Sequence, residues 1–171
     1  MISTRRRWQA TDARTGRPGP FHNREDRPDG KRVWWCDEDG RPGLGEHRLE
    51  DLVYVDRLPM ARRVVITEGE KAADAVRAAG LDAVGTVCGA SSTPGRAVAE
   101  LFAAGEPILW PDADKVGLLH MGRFAELLEP LVASMALIDW PGAPEHGDAA
   151  DLSPDRIREI AAAAHDVWLC R

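Results

Sequence analysis

Two aspartates, Asp112 and Asp114, stand two positions apart directly after the apolar run Ile108-Leu109-Trp110. Glu68 follows another apolar run, Val64-Val65-Ile66-Thr67. In open parallel sheets, sites form beyond the carboxyl ends of the strands, so acids at two such ends can face each other. Three carboxylates within a few ångströms repel strongly at low dielectric. A hard divalent cation relieves that repulsion. Mg2+ (or Mn2+) takes oxygen ligands, keeps several waters, and is held by one or two carboxylates together with substrate phosphate. The chemistry indicated is phosphoryl transfer, with Glu68, Asp112 and Asp114 as metal ligands. An isolated Asp-x-Asp is usually a solvated turn. The second acid after a second strand, and Gly117 where backbone must approach closely or turn into a helix, favour the metal site.

Further residues fall beside these acids. Lys71, in the first turn of a helix after Glu68, is suited to hold a phosphate as a point charge; the plainer alternative is an ion pair with Glu70 or Asp74. Gly69 and Lys115 flank the acids and join the candidate substrate-binding set. The small-residue loop Gly89-Ala90-Ser91-Ser92 opens another helix and could receive phosphate through its N–H groups, although GxxxxGK[ST] is absent. Asp148 and Asp151 are candidate supporting acids; Asp151 could instead cap the last helix. His22, His47, His120 and His165 have no partner at ligand spacing and read as surface or core residues. Cys88 reads as a small buried residue, since no His is paired with it. Of the pair Trp34-Trp35, one ring is expected inward and one outward; stacking on bases is the functional alternative.

The elements that must position these groups alternate. Val64–Thr67 is a β-branched run typical of a strand buried on both faces. The helix at 70–79 places Ala72, Ala75, Val76 and Ala79 on one face and stops at Gly80. A strand at 83–87 follows. Thr93-Pro94 is an N-cap and first helical position for a helix bearing Val98, Leu101 and Phe102. The strand 107–110 leads through the acidic turn to a third helix with Leu118, Met121, Ala125, Leu128 and Val132. Residues 135–139 form a fourth strand, Ser153-Pro154 caps a last helix, and Val167-Trp168-Leu169 is a candidate final strand. This pattern means βαβ units: an α/β fold with a mainly parallel sheet of four or more strands and helices on both faces. The chemistry requires the first and third strands to be neighbours, with the second outside the first.

Residues 1–62 lack helical periodicity and read as a small, basic, β-rich extension ahead of the domain at 63–171. Turn signals there include Asp29-Gly30 and Asp39-Gly40, the latter a candidate hairpin turn. Short strands are expected at 8–10, 21–23 and 32–36, and a loose alternation runs over 49–58. Residues 1–32 hold nine Lys/Arg against four Asp/Glu, and the remainder thirteen against twenty-four. Such a basic arm either meets nucleic-acid phosphate or is a solvated, partly disordered leader.

The chain has 171 residues, 44% hydrophobic and 29% charged, as expected for one soluble globular domain. No apolar run is long enough to span a bilayer. The three arginines near the N-terminus precede no apolar signal core, so a cytoplasmic protein is expected. Three scattered cysteines fit no zinc spacing and suggest reduced thiols.

Four strings occur in order: EGEKAAD at 68–74, GTVCGAS at 85–91, WPDAD at 110–114 and GDAAD at 147–151. Together they resemble the Toprim domain, and most closely that of phage- and plasmid-type DNA primases and primase–helicases. KRVWWCDEDGRPGLG at 31–45 resembles what precedes that domain, so the resemblance covers roughly residues 31–165. It implies a Toprim (Rossmann-like) fold, Glu68 as general acid/base or additional ligand, and Asp112 and Asp114 as Mg2+ ligands. It further implies primer synthesis on single-stranded DNA from nucleoside triphosphates, in company with a replicative helicase or another replication protein. Two positions depart from the pattern: Ala113 stands where relatives often have Asn, and His146 where a Lys is common. His146 could hold phosphate only when protonated. The chain contains neither a zinc-binding module nor a Walker motif. The rival readings are a nuclease of the same fold and a catalytically silent nucleic-acid-binding or assembly module.

Overall fold

The computed structural model describes residues 4–57, 62–89, 92–103 and 105–166. Nine strands form one sheet in the order β3-β2-β1-β4-β6-β5-β7-β8-β9. The strands are β1 (Thr4–Asp12), β2 (Arg17–Arg27), β3 (Gly30–Cys36), β4 (Leu52–Val55), β5 (Arg63–Thr67), β6 (Ala83–Gly85), β7 (Glu106–Trp110), β8 (Ala136–Leu137) and β9 (His165–Asp166). The helices are α1 (Glu70–Ala78), α2 (Arg96–Glu100), α3 (Lys115–Leu128) and α4 (Pro154–Ala162).

The centre is parallel. β5 pairs with β6 on one side and with β7 on the other, and β7 pairs with β8, all parallel. The first and third strands of the α/β part are therefore neighbours, as the chemistry requires. Thr67 lies opposite Trp110 in the ladder, so the strands ending at Glu68 and Asp112 finish level with each other.

Alternation along these strands divides the core between two helical layers. Val65, Ile108 and Trp110 pack with residues of α1 and α4. Val64, Ile66 and Leu109 pack with Val98, Phe102, Met121, Phe124 and Leu128, on and beside α2 and α3. Helices thus cover both faces, which is why these strands read as continuous apolar runs. Gly80, at φ +83°, takes the left-handed conformation that ends α1.

Several elements differ from the sequence expectations. The two short strands expected at 8–10 and 21–23 are the middle of a long antiparallel hairpin, β1–β2, with Thr4 opposite Asp26. Only Trp8, Ala10 and Asp12 of β1 are buried, so the exposed arginines hide its length from any hydrophobic pattern. Two of those arginines, with Arg32 of β3, lie over rings: Arg7 over Phe21 at 3.6 Å, and Arg5 and Arg32 over Trp34. The tight β2–β3 turn falls at Pro28-Asp29, with Arg27 opposite Gly30. The Asp39-Gly40 signal marks a smaller turn, closed by Gly40 N–H to the Asp37 carbonyl and a Cys36–Pro42 bridge. Residues 49–51 form a 3-10 turn before β4, and β4 pairs antiparallel with β6, joining the N-terminal strands to the central sheet. α2 begins after Gly95, not at Thr93-Pro94, because the Gly95 N–H is drawn to the Glu50 carbonyl at 2.7 Å. The fourth strand is only two residues long, extended by the Ile138 N–H to the Leu109 carbonyl. The final strand expected at 167–169 lies outside the described residues. Among the described residues, no helix is long and apolar enough to cross a membrane.

Candidate functional site

Where β5 ends, Thr67 turns its hydroxyl back to the carbonyls of Gly69 and Val84, at 3.0 and 3.3 Å. The chain then passes Glu68 and enters α1 through Gly69. Where β7 ends, Asp112 presents its backbone N–H to Glu68 Oε1 at 2.9 Å. Asp114 is the N-cap of α3: one oxygen accepts the Gly117 N–H at 2.7 Å, and the other meets His146 Nδ1 at 2.6 Å. Gly117 lies against Glu68 and Asp112; a Cβ there would stand 2.7 Å from the Asp112 carbonyl oxygen. Helix α3 can begin at the acids only because this residue has no side chain, which is the close approach expected of it.

A third segment closes the site. The Ala113 N–H donates to the Gly147 carbonyl at 2.8 Å, and the His146 N–H to the Ala113 carbonyl. The backbone at 113 thus makes contacts that its alanine side chain cannot. Asp148 and Asp151 form a reciprocal cap around the following 3-10 turn. Asp151 therefore caps that turn, and Ser153 caps α4, accepting the Arg156 N–H. Lys71 reaches Asp148 at 3.3 Å and Asp151 at 3.6 Å, so its ion pairs cross to this loop instead of running along α1 to Glu70 or Asp74.

The charges are crowded. Burial pushes Asp112 up to about 7, reinforced by Glu68, Asp148 and Asp114 and opposed by Lys71. Glu68 is also raised, chiefly by burial, with the Asp112 N–H opposing and Asp114 and Asp148 adding to the rise. Asp114 is lowered, first by the Gly117 N–H and then by His146. His146 is raised by its bond to Asp114.

Among the described residues, no three His, Cys, Asp or Glu side chains converge as a ready metal cage. The donor set nevertheless fits a hard cation. It is all oxygen, two of its acids are held against ionisation by burial and by neighbouring carboxylates, and each carboxylate oxygen can accept from more than one direction. Sites of this kind are commonly completed by substrate phosphate and water.

Glu68, Gly69, Lys71, Gly89, Asp112 and Asp148 line one cleft of about 430 Å3. Asp114 and Lys115 line a neighbouring groove on the far side of the acidic turn, with Asp112 between the two. Ser92 is held through its carbonyl by His120 Nδ1 at 2.9 Å. Ser91 lies outside the described residues. Cys88 also lines the cleft, but burial pushes its thiol up to about 12, leaving it a neutral packing residue.

Sequence reasoning missed the opposite wall. Trp8, His22, Arg24, Lys31 and Trp35, from the three N-terminal strands, face the acids across the same cleft. His22 Nδ1 bonds Glu70 Oε1 at 2.6 Å, and its ring stacks on Trp35. The only signals were the basic charge of residues 1–32 and the adjacent tryptophans. His120, read as a surface or core residue, is a core residue, fully buried with both ring nitrogens bonded, to Thr86 and Ser92.

No protein-family model and no curated protein matches the chain. Solved structures do match. The DnaG primase catalytic domain bound to single-stranded DNA aligns with TM-score 0.69 and 16% identity, over 95% of this chain and 52% of that one. A DNA primase domain from Pseudomonas aeruginosa gives 0.68 and 18%, over 95% and 52%. The Aquifex aeolicus primase, in its zinc-binding and RNA polymerase domains, gives 0.65 and 16%, over 92% and 39%. The chain thus spans roughly two fifths to one half of the length of these structures. At such identities the likeness is one of fold, and the fold of this chain is that of the primase catalytic core.

Proposed function

We propose that this chain is a Toprim-type nucleotidyltransferase that synthesises primers on single-stranded DNA from nucleoside triphosphates. The observation that carries the reading is the cleft itself, with acids from two adjacent strand ends on one wall and a basic, aromatic sheet on the other. The primase-core fold, which includes a relative captured on single-stranded DNA, supports the same reading. Glu68, Asp112 and Asp114 would hold Mg2+ or Mn2+. When bound, the cation neutralises phosphate charge and orients the attacking oxygen. Lys71 exchanges its ion pairs with Asp148 and Asp151 for a substrate phosphate, helped by the start of α1. In its alternative role, with Asp112 and Asp114 holding the cation, Glu68 would take a proton from the hydroxyl that attacks the α-phosphate. Gly69 and Gly89 let backbone approach the substrate, and Ser91 and Ser92, which follow Gly89 closely in the sequence, are further candidates to bind it. Lys115 and Asp148 bound the substrate on either side of the acidic turn. A replicative helicase or another replication protein is the partner this activity would serve.

The test is incubation with single-stranded template, labelled nucleoside triphosphates and Mg2+ or Mn2+, beside a plasmid-nicking assay. Short oligonucleotide products that disappear in Asp112→Ala support the reading. Nicking without synthesis would assign the same acids to a nuclease. Silence in both assays with salt-sensitive DNA binding would leave a binding module.

A further inference from the structure

We propose that the His22–Trp35 stack is a nucleobase-binding subsite of the cleft. The proposal rests on the nucleic-acid reading above and adds what the aromatic wall recognises. His22 and Trp35 are direct cross-strand partners on β2 and β3. Their rings stack with centroids 4.5 Å apart and planes 21° from parallel. The pair belongs to one face of a two-stranded ribbon, because strand side chains alternate. On that face Arg24 and Val33 come next, opposite each other, followed by Asp26 and Lys31. Arg24, Lys31, Val33, His22 and Trp35 all line the cleft that contains Glu68, Lys71 and Asp112.

Three features separate this stack from ordinary packing. The rings are not sealed in the core: the His22 side chain is 18% exposed, and Trp35, packed against the cluster of Ala10, Leu52 and Val87, is only partly buried. The imidazole is also fixed in orientation. A carboxylate can only accept, so Nδ1 carries the hydrogen in the bond to Glu70. Glu70 is itself buried and stands in the first turn of α1, next to the acidic strand end. The ring plane is thus registered to the element that positions Glu68 and Lys71. The third feature is the company of cations. Lys31 and Arg24, the latter paired with Asp26 at 2.8 Å, lie along the same face. Flat rings flanked by cations are the arrangement that holds bases by stacking while phosphates are neutralised alongside. Trp34 points to the other face, between Arg5 and Arg32, and serves as an internal comparison.

The base could belong to the single strand or to the incoming nucleotide, and two arms distinguish them. Binding of full-length protein is measured in Mg2+ to oligothymidylate and to an abasic oligomer of the same length and charge. Competition is measured with ATP and with inorganic tripolyphosphate. The wild type is expected to prefer the base-bearing ligand in one arm by about 5- to 150-fold. Trp35→Leu should abolish that preference, Trp35→Phe should keep most of it, and Trp34→Leu should leave it intact. Loss in the oligomer arm assigns the subsite to the strand, and loss in the ATP arm assigns it to the incoming nucleotide. Binding without base preference in either arm, or a preference that survives in Trp35→Leu, overturns the subsite but leaves the nucleic-acid reading standing. Binding of none of the four ligands overturns both. Retention in Trp35→Phe guards against a mere folding defect in Trp35→Leu.

Discussion

The backbone N–H of Asp112 donates to the carboxylate of Glu68 at 2.9 Å, tying the end of β7 to the end of β5. One bond thus makes the two acidic motifs a single site. It also leaves the partly buried Asp112 side chain among negative neighbours, and this has a measurable consequence. Asp112 titrates near 7 in the fold against 3.8 in the unfolded chain, so the folded state binds its proton more tightly. The sign follows: stability from this group is full below about pH 4 and is lost as pH rises through about 7. Asp112→Asn should therefore raise stability at pH 8 by about 1–3 kcal/mol in metal-free buffer and flatten the decline between pH 4 and 7. Urea unfolding across that range checks it. A less stable Asn variant at pH 8 contradicts the crowding described.

Asp114 has two separable tasks. As N-cap of α3 it accepts the Gly117 N–H, and as an acid it contributes charge to the site. Asp114→Ala should lose about 0.5–2 kcal/mol and all activity. Asp114→Ser keeps a capping oxygen, so it should recover most of the stability and none of the activity. Thermal unfolding and primer synthesis, measured on both variants, separate the tasks.

Gly117→Ala should be more damaging than a surface alanine has reason to be. Its Cβ would press on the Asp112 carbonyl oxygen and on Glu68, which are fixed by the bond between the two strand ends. About 1–3 kcal/mol of destabilisation is expected, with loss of activity. Gly122, on the same helix with nothing within 4 Å of an added Cβ, is the control: Gly122→Ala should be neutral or mildly stabilising.

His120 holds the loop after β6 against α3. Its Nδ1–H donates to the Ser92 carbonyl, so the neutral ring accepts the Thr86 hydroxyl proton at Nε2, 2.8 Å away. Burial lowers its pKa, which keeps it neutral. His120→Leu removes the bonds to the Thr86 hydroxyl, which keeps only a long contact to the Glu68 carbonyl at 3.4 Å, and to the partly buried Ser92 carbonyl, and should cost about 1–3 kcal/mol. Its stability should also fall less than that of the wild type as pH drops below about 6.5, since the unfolded wild type gains a proton there that the fold disfavours. Parallel melts at pH 5.5 and 8 check both parts.

The α/β half was legible because its strands are buried on both faces. Val64–Ile66 and Ile108–Trp110 are apolar without interruption, and their helices repeat on one side. The adjacency of β5 and β7 followed from asking which acids must meet. The N-terminal half was much less legible. β1 is exposed over its first half and β2 is only partly buried along most of its length, so Arg5, Arg6, Arg7 and Arg24 occupy strand positions that composition reads as a leader. Contacts such as His22 with Glu70, or Trp8 Nε1 with Asp74 at 2.7 Å, join residues far apart in the chain and leave no local pattern. Gly117 was foreseen as a close approach, whereas the partners of Lys71 were not. Its first-turn neighbours offered nearer charges than Asp148 and Asp151, and only the fold brings that loop across.

The role proposed for these acids is to gather a cation for phosphoryl transfer. Crystals soaked in Mn2+ test it most directly, through the anomalous signal of the ion. A peak is expected about 2.1 Å from an Asp112 oxygen and shared with Glu68 or Asp114, absent in Asp112→Ala. Mn2+ bound only elsewhere, or unchanged in that variant, would contradict it.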